Sequence, residues 1–395
     1  MNMDRARKIM EQKNLQALIA SSPENIAYSS DLVRTFCPCV PASQLHVILP
    51  LEKGIEPAII VPKVQLDYYF CCHSWIKDVK SYGDFYIFKP ERSETLGDQE
   101  REFADLLDNV KSVGTPIEAL AQALDERGLS NKRIGLDDRT LCISRYREIE
   151  KKLGDAEIVP AGETFREVRM VKTSEEVERL QRAADINDKA MEATLEEVRV
   201  GMTGKQIWDV YDAVVTKEGG KSDYVEIRSG PFATPTFPMI SDRALREGDI
   251  LRIDSDVTYK DYFSDEARTL VLGKPTEKLR KYHAAMVEGY EKASETIKPG
   301  TRASTIFDVA VKTTRAAGIP HLKRHACGHA LGIECYDPPL ISATNDTELE
   351  ENMVINVEIS YYELGFGTLH VEDAFLVVKG GCRRLQKSNA KLRVK

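Results

Sequence analysis

Residues 247–256 read EGDILRIDSD, and residues 351–358 read ENMVINVE. Each is a short apolar run of the kind that forms a buried strand, and each reaches a carboxylate, at Asp254 and at Glu358. A second acid follows each: Asp265, in SDEARTL, eleven residues after Asp254, and Glu372, in HVEDAFLVV, fourteen residues after Glu358. The pattern predicts two hairpins, each with one inward acid on either strand. Facing one another, the two would gather four carboxylates. A lone Asp is most often a solvated surface charge, but Asp254 sits inside the apolar run LRIDSDV.

The hairpins belong to a larger internal repeat. Residues 201–210, GMTGKQIWDV, and 300–309, GTRASTIFDV, share their glycine, isoleucine, aspartate and valine at an offset of 99 residues, and Gly219 and Gly318 recur at the same offset. Each unit reads as a turn, a capped amphipathic helix and a glycine stop.

Four buried carboxylates cannot stay ionised together without cations, because desolvation and mutual repulsion would protonate them. Two divalent metals resolve the conflict. Oxygen-rich donors with one imidazole suit Mn²⁺, Co²⁺, Fe²⁺ or Zn²⁺. His329, in the glycine-flanked segment CGHALG at 327–332, supplies the nitrogen.

Upstream, the first 160 or so residues alternate helical and strand-like segments. Met3 to Lys13, Glu100 to Asn109, Ile117 to Gly128 and Tyr146 to Leu153 read as helices; Gln16 to Ala20, His46 to Pro50, Pro57 to Val61, Arg133 to Leu136 and Glu157 to Val159 read as strands. This is an α/β domain. A boundary near Gly162 divides the chain into domains 1–162 and 163–395. After it, Thr173 and Glu176 form a capping box that opens a long helix to about Val198.

The chain has 395 residues, 42% hydrophobic and 30% charged, with a net charge of -8. Its sign and the lack of a basic tract argue against nucleic acid as a partner. No run is long and apolar enough for a membrane span, and the charged opening MNMDRARKIMEQKN does not read as a signal peptide; a cytoplasmic protein is expected. The eight cysteines are irregularly spaced. Cys37-Pro38-Cys39 and Cys71-Cys72-His73 lack zinc-ribbon spacing, so buried free thiols are expected.

The segments SGP (229–231), SDRALREGDILRIDSD (241–256), SDEARTL (264–270), HACGHALGIECYDPP (325–339), NMVINVE (352–358) and VEDAFLVV (371–378) follow, in order, the signature of the pita-bread metallopeptidases. The second domain thus resembles the creatinase, prolidase and Xaa-Pro aminopeptidase superfamily throughout its length. The first resembles the N-terminal domain of prolidases and creatinases in length and style, which argues against a methionine aminopeptidase.

The resemblance implies an α/β first domain and an α+β second domain: a curved antiparallel sheet with two helix pairs behind it, related by a pseudo-two-fold. It implies a homodimer in which one subunit's first domain caps the other's site. Asp254 would be a terminal ligand of one metal, Asp265 and Glu372 would bridge, and His329 and Glu358 would complete the second. Glu358 would also transfer the proton when a metal-activated water attacks. His325 matches a substrate-contacting histidine of the Xaa-Pro enzymes, though a structural histidine reads equally well.

The chain departs from that pattern around the cage. Phe237 and Tyr336 stand where the peptidases carry two histidines that contact the scissile group; Phe donates no hydrogen bond, and a Tyr is a poor proton shuttle near neutrality. Asp256 stands where a small residue is usual and His370 where arginine is common, each two residues from a candidate ligand and so on its face; Ile359-Ser360 replaces Pro-Gly. Phe237, Asp256, His325, Tyr336 and His370 are therefore the candidate substrate residues, with His325 and Tyr336 joining Glu358 as candidate catalytic groups. Three readings compete: a metal-dependent Xaa-Pro dipeptidase or aminopeptidase, a creatinase- or ectoine-hydrolase-like enzyme acting on a small nitrogen compound, and a non-catalytic binding module. The first leads, as the commonest activity among resembling proteins.

Overall fold

The computed structural model describes residues 1–33, 44–90, 95–230, 234 and 242–395. The chain divides into two compact units, Met1–Val168 and Arg169–Lys395.

The first unit is built on seven strands: β1 (Ala17–Ala20), β2 (His46–Pro50), β3 (Ala58–Pro62), β4 (Asp78–Tyr82), β5 (Ser112–Val113), β6 (Arg133–Leu136) and β7 (Glu157–Pro160). Their order is β5-β4-β3-β2-β1-β6-β7. The central pairs β1/β2 and β2/β3 are antiparallel, and the flanking pairs are parallel. The runs ALIA, HVILP and AIIVP are apolar without alternation, and all are buried from end to end, as strands covered on both faces must be. The helix Pro116–Asp125 starts at a Thr115–Glu118 capping box and packs Ile117, Leu120 and Leu124 into this core.

This unit ends six residues beyond the expected boundary. The helix Gly162–Arg169 is held to it: Gly162 N donates to Asp138 Oδ1 at 2.9 Å, and Lys13 Nζ lies 2.8 Å from the Glu167 carboxylate. Long-range ties of this kind leave no trace in the local pattern FREVRMVK.

The second unit carries β8 (Lys221–Ser229), β9 (Ile250–Tyr259), β10 (Tyr262–Val271), β11 (Gly328–Ala330), β12 (Asp337–Leu340), β13 (Val354–Glu363), β14 (Gly367–Val378), β15 (Gly381–Arg384) and β16 (Arg393–Val394). The order β12-β11-β13-β14-β10-β9-β8 is antiparallel throughout; β15 joins β14, and β16 adds a short parallel edge to β10. Two helix pairs pack on it: Ser174–Glu197 with Gly204–Lys217, and Glu277–Ser294 with Ala303–Ala317. Thr173 and Glu176 cap the long helix as expected. The repeated helices begin 99 residues apart, at Gly204 and Ala303, and Gly219 and Gly318 follow them with positive φ. Only the first has a side-chain cap, from Thr203. The second has Arg302 there, and the backbone N–H groups of Ala303 and Ser304 donate to Thr347 and Asn345 carbonyls instead.

Both predicted hairpins form, with different rungs. Tyr259 pairs with Tyr262 across the two-residue turn Lys260–Asp261, so Asp254 faces Ala267 and Asp265 faces Asp256. The β13/β14 turn is one residue longer, and Glu358 faces Glu372 directly. Counted from the turns, the rung Asp256–Asp265 corresponds to Ser360–His370.

The cysteines depart from expectation. Cys71 and Cys142 are exposed and Cys72, Cys335 and Cys382 half-buried; Cys327 alone is buried among the described residues. Cys71 and Cys72 close a short surface helix, and Cys142 precedes another. Cys37 and Cys39 lie outside the described residues.

Candidate metal centre

On one face of the second sheet, β9, β10, β11, β13 and β14 bring together Asp254, Asp265, His329, Glu358 and Glu372, with Asp256 and His370 between them. Alternation along each strand does this: Asp254 and Asp256 project from β9 to one side, and His370 and Glu372 do so from β14.

His329 enters from β11, where it faces Asn356 of β13. Gly328 makes this approach available. Its φ is +128°, and a Cβ there would lie 1.9 Å from the Asn356 carbonyl oxygen. His329 Nδ1 lies 3.2 Å from the Ala330 carbonyl, which can only accept; Nδ1 therefore carries a proton, and Nε2 is the ring atom that faces the cluster. Asp265 Oδ2 is 3.4 Å from that Nε2. His329 Nε2 and Asp265 Oδ1 are buried, and neither has a hydrogen-bond partner among the described residues.

His370 is 3% exposed and sits inside the acids. Its Nε2 is 3.1 Å from both Glu358 Oε2 and Glu372 Oε2, and its Nδ1 is 3.5 Å from Asp254 Oδ2. Asn356 Nδ2 donates to Glu372 Oε1 at 2.6 Å. Two guanidiniums flank the group: Arg252 Nη1 lies 3.4 Å from Asp254 Oδ2, and Arg324 Nη2 lies 3.1 Å from Glu358 Oε2. Arg252 is fixed in turn by Glu226 and by the Tyr362 hydroxyl at 3.1 Å.

Five carboxylates thus face two guanidiniums, an excess of three negative charges when both imidazoles are neutral. The strain shows in the proton affinities. Burial and the charges of Asp265 and Asp254 push the Asp256 carboxyl well up; burial and Asp265 do the same to Glu372, against the pull of His370. Burial alone would raise Glu358 and Asp254, but His370 holds both down, helped by Arg324 and Arg252 respectively, Glu358 to about 2. Burial would lower His329, yet Asp265 and the other acids lift it to about 9. A cluster that must borrow protons to stay buried fits two divalent cations, which would supply four positive charges. The orphaned Nε2 and Oδ1 offer ready donors for them.

Of the candidate substrate residues, Asp256 and His370 lie within the cluster. Tyr336 is 60% exposed and stacks on the His329 ring, with centroids 3.9 Å apart and planes at 26°. His325 is exposed, pointing its side chain to solvent rather than being buried with the acids. Its neighbour Arg324 reaches the acids instead. Phe237 lies outside the described residues. Sequence reasoning missed Arg252, Arg324 and Cys335. Arg252 carried a signal, since it stands two residues before Asp254 and so shares its face. Cys335, grouped with the inert thiols, lies 3.4 Å from Asp256 Oδ2 and 3.9 Å from Asp265 Oδ2.

Residues 178–379 match the model of metallopeptidase family M24, and residues 3–171 match the creatinase/prolidase N-terminal domain. The chain is 30% identical over 255 residues to an Xaa-Pro dipeptidase of Pyrococcus furiosus, covering 64% of this chain and 73% of that protein. A 22% identity to the Xaa-Pro dipeptidase of Lactobacillus delbrueckii subsp. lactis runs over 100% of this chain and 99% of that one. In three dimensions it is similar to an Xaa-Pro dipeptidase from Bacillus anthracis, with a TM-score of 0.82 and 21% identity over 100% of this chain and 99% of that chain.

Proposed function

The chain belongs to metallopeptidase family M24, and on that premise we propose that it is a metal-dependent Xaa-Pro dipeptidase or aminopeptidase. The observation that carries this reading is the convergence of Asp254, Asp265, His329, Glu358 and Glu372 on one sheet face, with His329 Nε2 and Asp265 Oδ1 unsatisfied there. These five would hold two divalent cations, of manganese, cobalt, iron or zinc. When bound, such ions supply Lewis acidity and a water of lowered pKa.

The chain's own residues do the rest. Glu358 stays ionised beside His370 and Arg324, which orient its carboxylate to accept a proton from the attacking water and return it to the departing proline nitrogen. Asn356 fixes Glu372 through its amide, and Arg252 fixes Asp254. Tyr336, exposed beside His329, offers a hydroxyl to the substrate carbonyl. A homodimer in the cytoplasm is part of the same reading, supported by the family resemblance, and sedimentation at micromolar concentration tests the assembly.

The exposed Tyr336 in place of a histidine also favours a second reading, hydrolysis of a small nitrogen compound. One experiment separates the two. Protein stripped of metal and reloaded with Mn²⁺ is given a panel of Xaa-Pro dipeptides. Metal-dependent release of free proline is expected. Two bound metals with no proline released from any dipeptide would overturn the peptidase reading in favour of the second.

A further inference from the structure

Cys335 lies in the loop between β11 and β12, one residue before Tyr336, and its Sγ faces the acid cluster. The thiol donates to Asp256 Oδ2 at 3.4 Å and stands 3.9 Å from Asp265 Oδ2. Together with Asp265 and His329 it forms a group of three donor atoms that all lie within 4.8 Å of one another.

The distances suit coordination. Tetrahedral zinc, with bonds of about 2.05 Å to nitrogen or oxygen and about 2.3 Å to sulfur, sets its donor atoms about 3.3 to 3.6 Å apart. The His329 Nε2 to Asp265 Oδ2 separation is 3.4 Å, inside that range, and the Cys335 Sγ to Asp265 Oδ2 separation of 3.9 Å needs a few tenths of an ångström of closure. A second observation is independent of the cysteine. His329 and Asp265 are 1% and 5% exposed, and their atoms Nε2 and Oδ1 have no hydrogen-bond partner among the described residues. Two buried donor atoms without a hydrogen bond among the described residues, beside a thiol that enters the same region, describe a metal seat with sulfur in its reach.

We propose that Cys335 is a ligand of the metal seat formed by His329 and Asp265, making that seat a mixed nitrogen, oxygen and sulfur site that selects zinc or cobalt over manganese. Soft thiolate donors favour zinc and cobalt, whereas manganese prefers oxygen. On coordination the thiol proton passes to solvent and the Asp256 carboxylate loses its S–H donor; Asp256 then braces the loop or turns to the metal itself. The other group of donors, Asp254, His370 and Glu372, has no sulfur, so the two seats would differ in metal preference.

The proposal rests on the metal-centre reading above, and the test keeps the two apart. Metal-free wild-type protein is titrated with Co²⁺, bound cobalt is counted by elemental analysis, and the near-ultraviolet spectrum is recorded. Bound cobalt with a sulfur-to-cobalt charge-transfer band, lost in Cys335→Ser, is the expected result. Bound cobalt without the band, or a band that survives in Cys335→Ser, overturns the proposal and leaves the metal centre standing. Protein that binds no cobalt overturns both. In the same variant, zinc affinity should fall roughly tenfold or more, while manganese affinity changes far less. A measurement that needs no variant uses thiol alkylation with peptide mapping: Cys335 should label in metal-free protein and be protected by zinc, and equal labelling in both states overturns the proposal.

Discussion

Arg324 and His370 both converge on Oε2 of Glu358, from 3.1 Å each. Replacing that carboxylate with an amide keeps the shape but removes the charge that accepts a proton. Glu358→Gln should therefore cut kcat by about 10²–10⁴, with the circular dichroism spectrum unchanged; steady-state kinetics on an Xaa-Pro dipeptide check it. A second residue-scale prediction concerns His46, buried in the first unit beside Ser21 Oγ at 2.9 Å. Burial lowers its imidazole to about 4, against the pull of Asp137. Its folded pKa lies below the unfolded value of about 6.5, so its contribution is complete above pH 6.5 and is lost as pH falls toward 4. Urea unfolding should show wild type losing about 2 kcal/mol between pH 7.5 and 5 that His46→Gln keeps; equal losses in both would refute the assignment. The acids of the centre were legible in the sequence because a carboxylate in an apolar strand is out of place. Arg324 and Cys335 were not. What gives each its role is a partner 34 or 79 residues away, and no local pattern encodes that partner.

At the level of elements, strands and helices with strong periodicity were readable, and so was the duplication. Register was not. The acids stand eleven apart in one hairpin and fourteen in the other because the second turn is one residue longer and its second acid sits two rungs farther from the turn; only the pairing reveals that His370 occupies the rung matching Asp265. The strand β4, DVKSY, also escaped notice, since its polar residues hide its alternation. The first hairpin turns on Lys260 and Asp261, with φ of +46° and +68°. Positive φ at both central residues is the type I′ requirement that Asn-Gly meets best. Replacing Lys260-Asp261 with Asn-Gly should stabilise the second unit by roughly 1 kcal/mol, read as a shifted denaturation midpoint. At the start of the long helix, Thr173→Ala removes the cap on the Glu176 N–H and should cost about 1 kcal/mol, measured in the same way.

For the whole molecule, the expected metal centre lies entirely within Arg169–Lys395. Cations that bind there stabilise that unit by mass action, about 2.7 kcal/mol at a concentration one hundred times the dissociation constant. Calorimetry with and without chelator should show one transition shifting and the transition of Met1–Val168 staying in place. Movement of both by equal amounts would mean that the two units unfold as one. The α/β character of the first unit and the repeated hairpins of the second followed from sequence pattern, and the second unit's sheet with two helix pairs from the family resemblance, while the exact boundary depended on the ties that hold the helix Gly162–Arg169 to the first. Gly328 bears on a different matter, the freedom of this gene to change. Because any side chain there would collide with the Asn356 carbonyl, every missense step out of its codon displaces His329 at once. In a saturating mutational library selected for activity, position 328 should empty as completely as position 329, although glycine touches neither metal nor substrate.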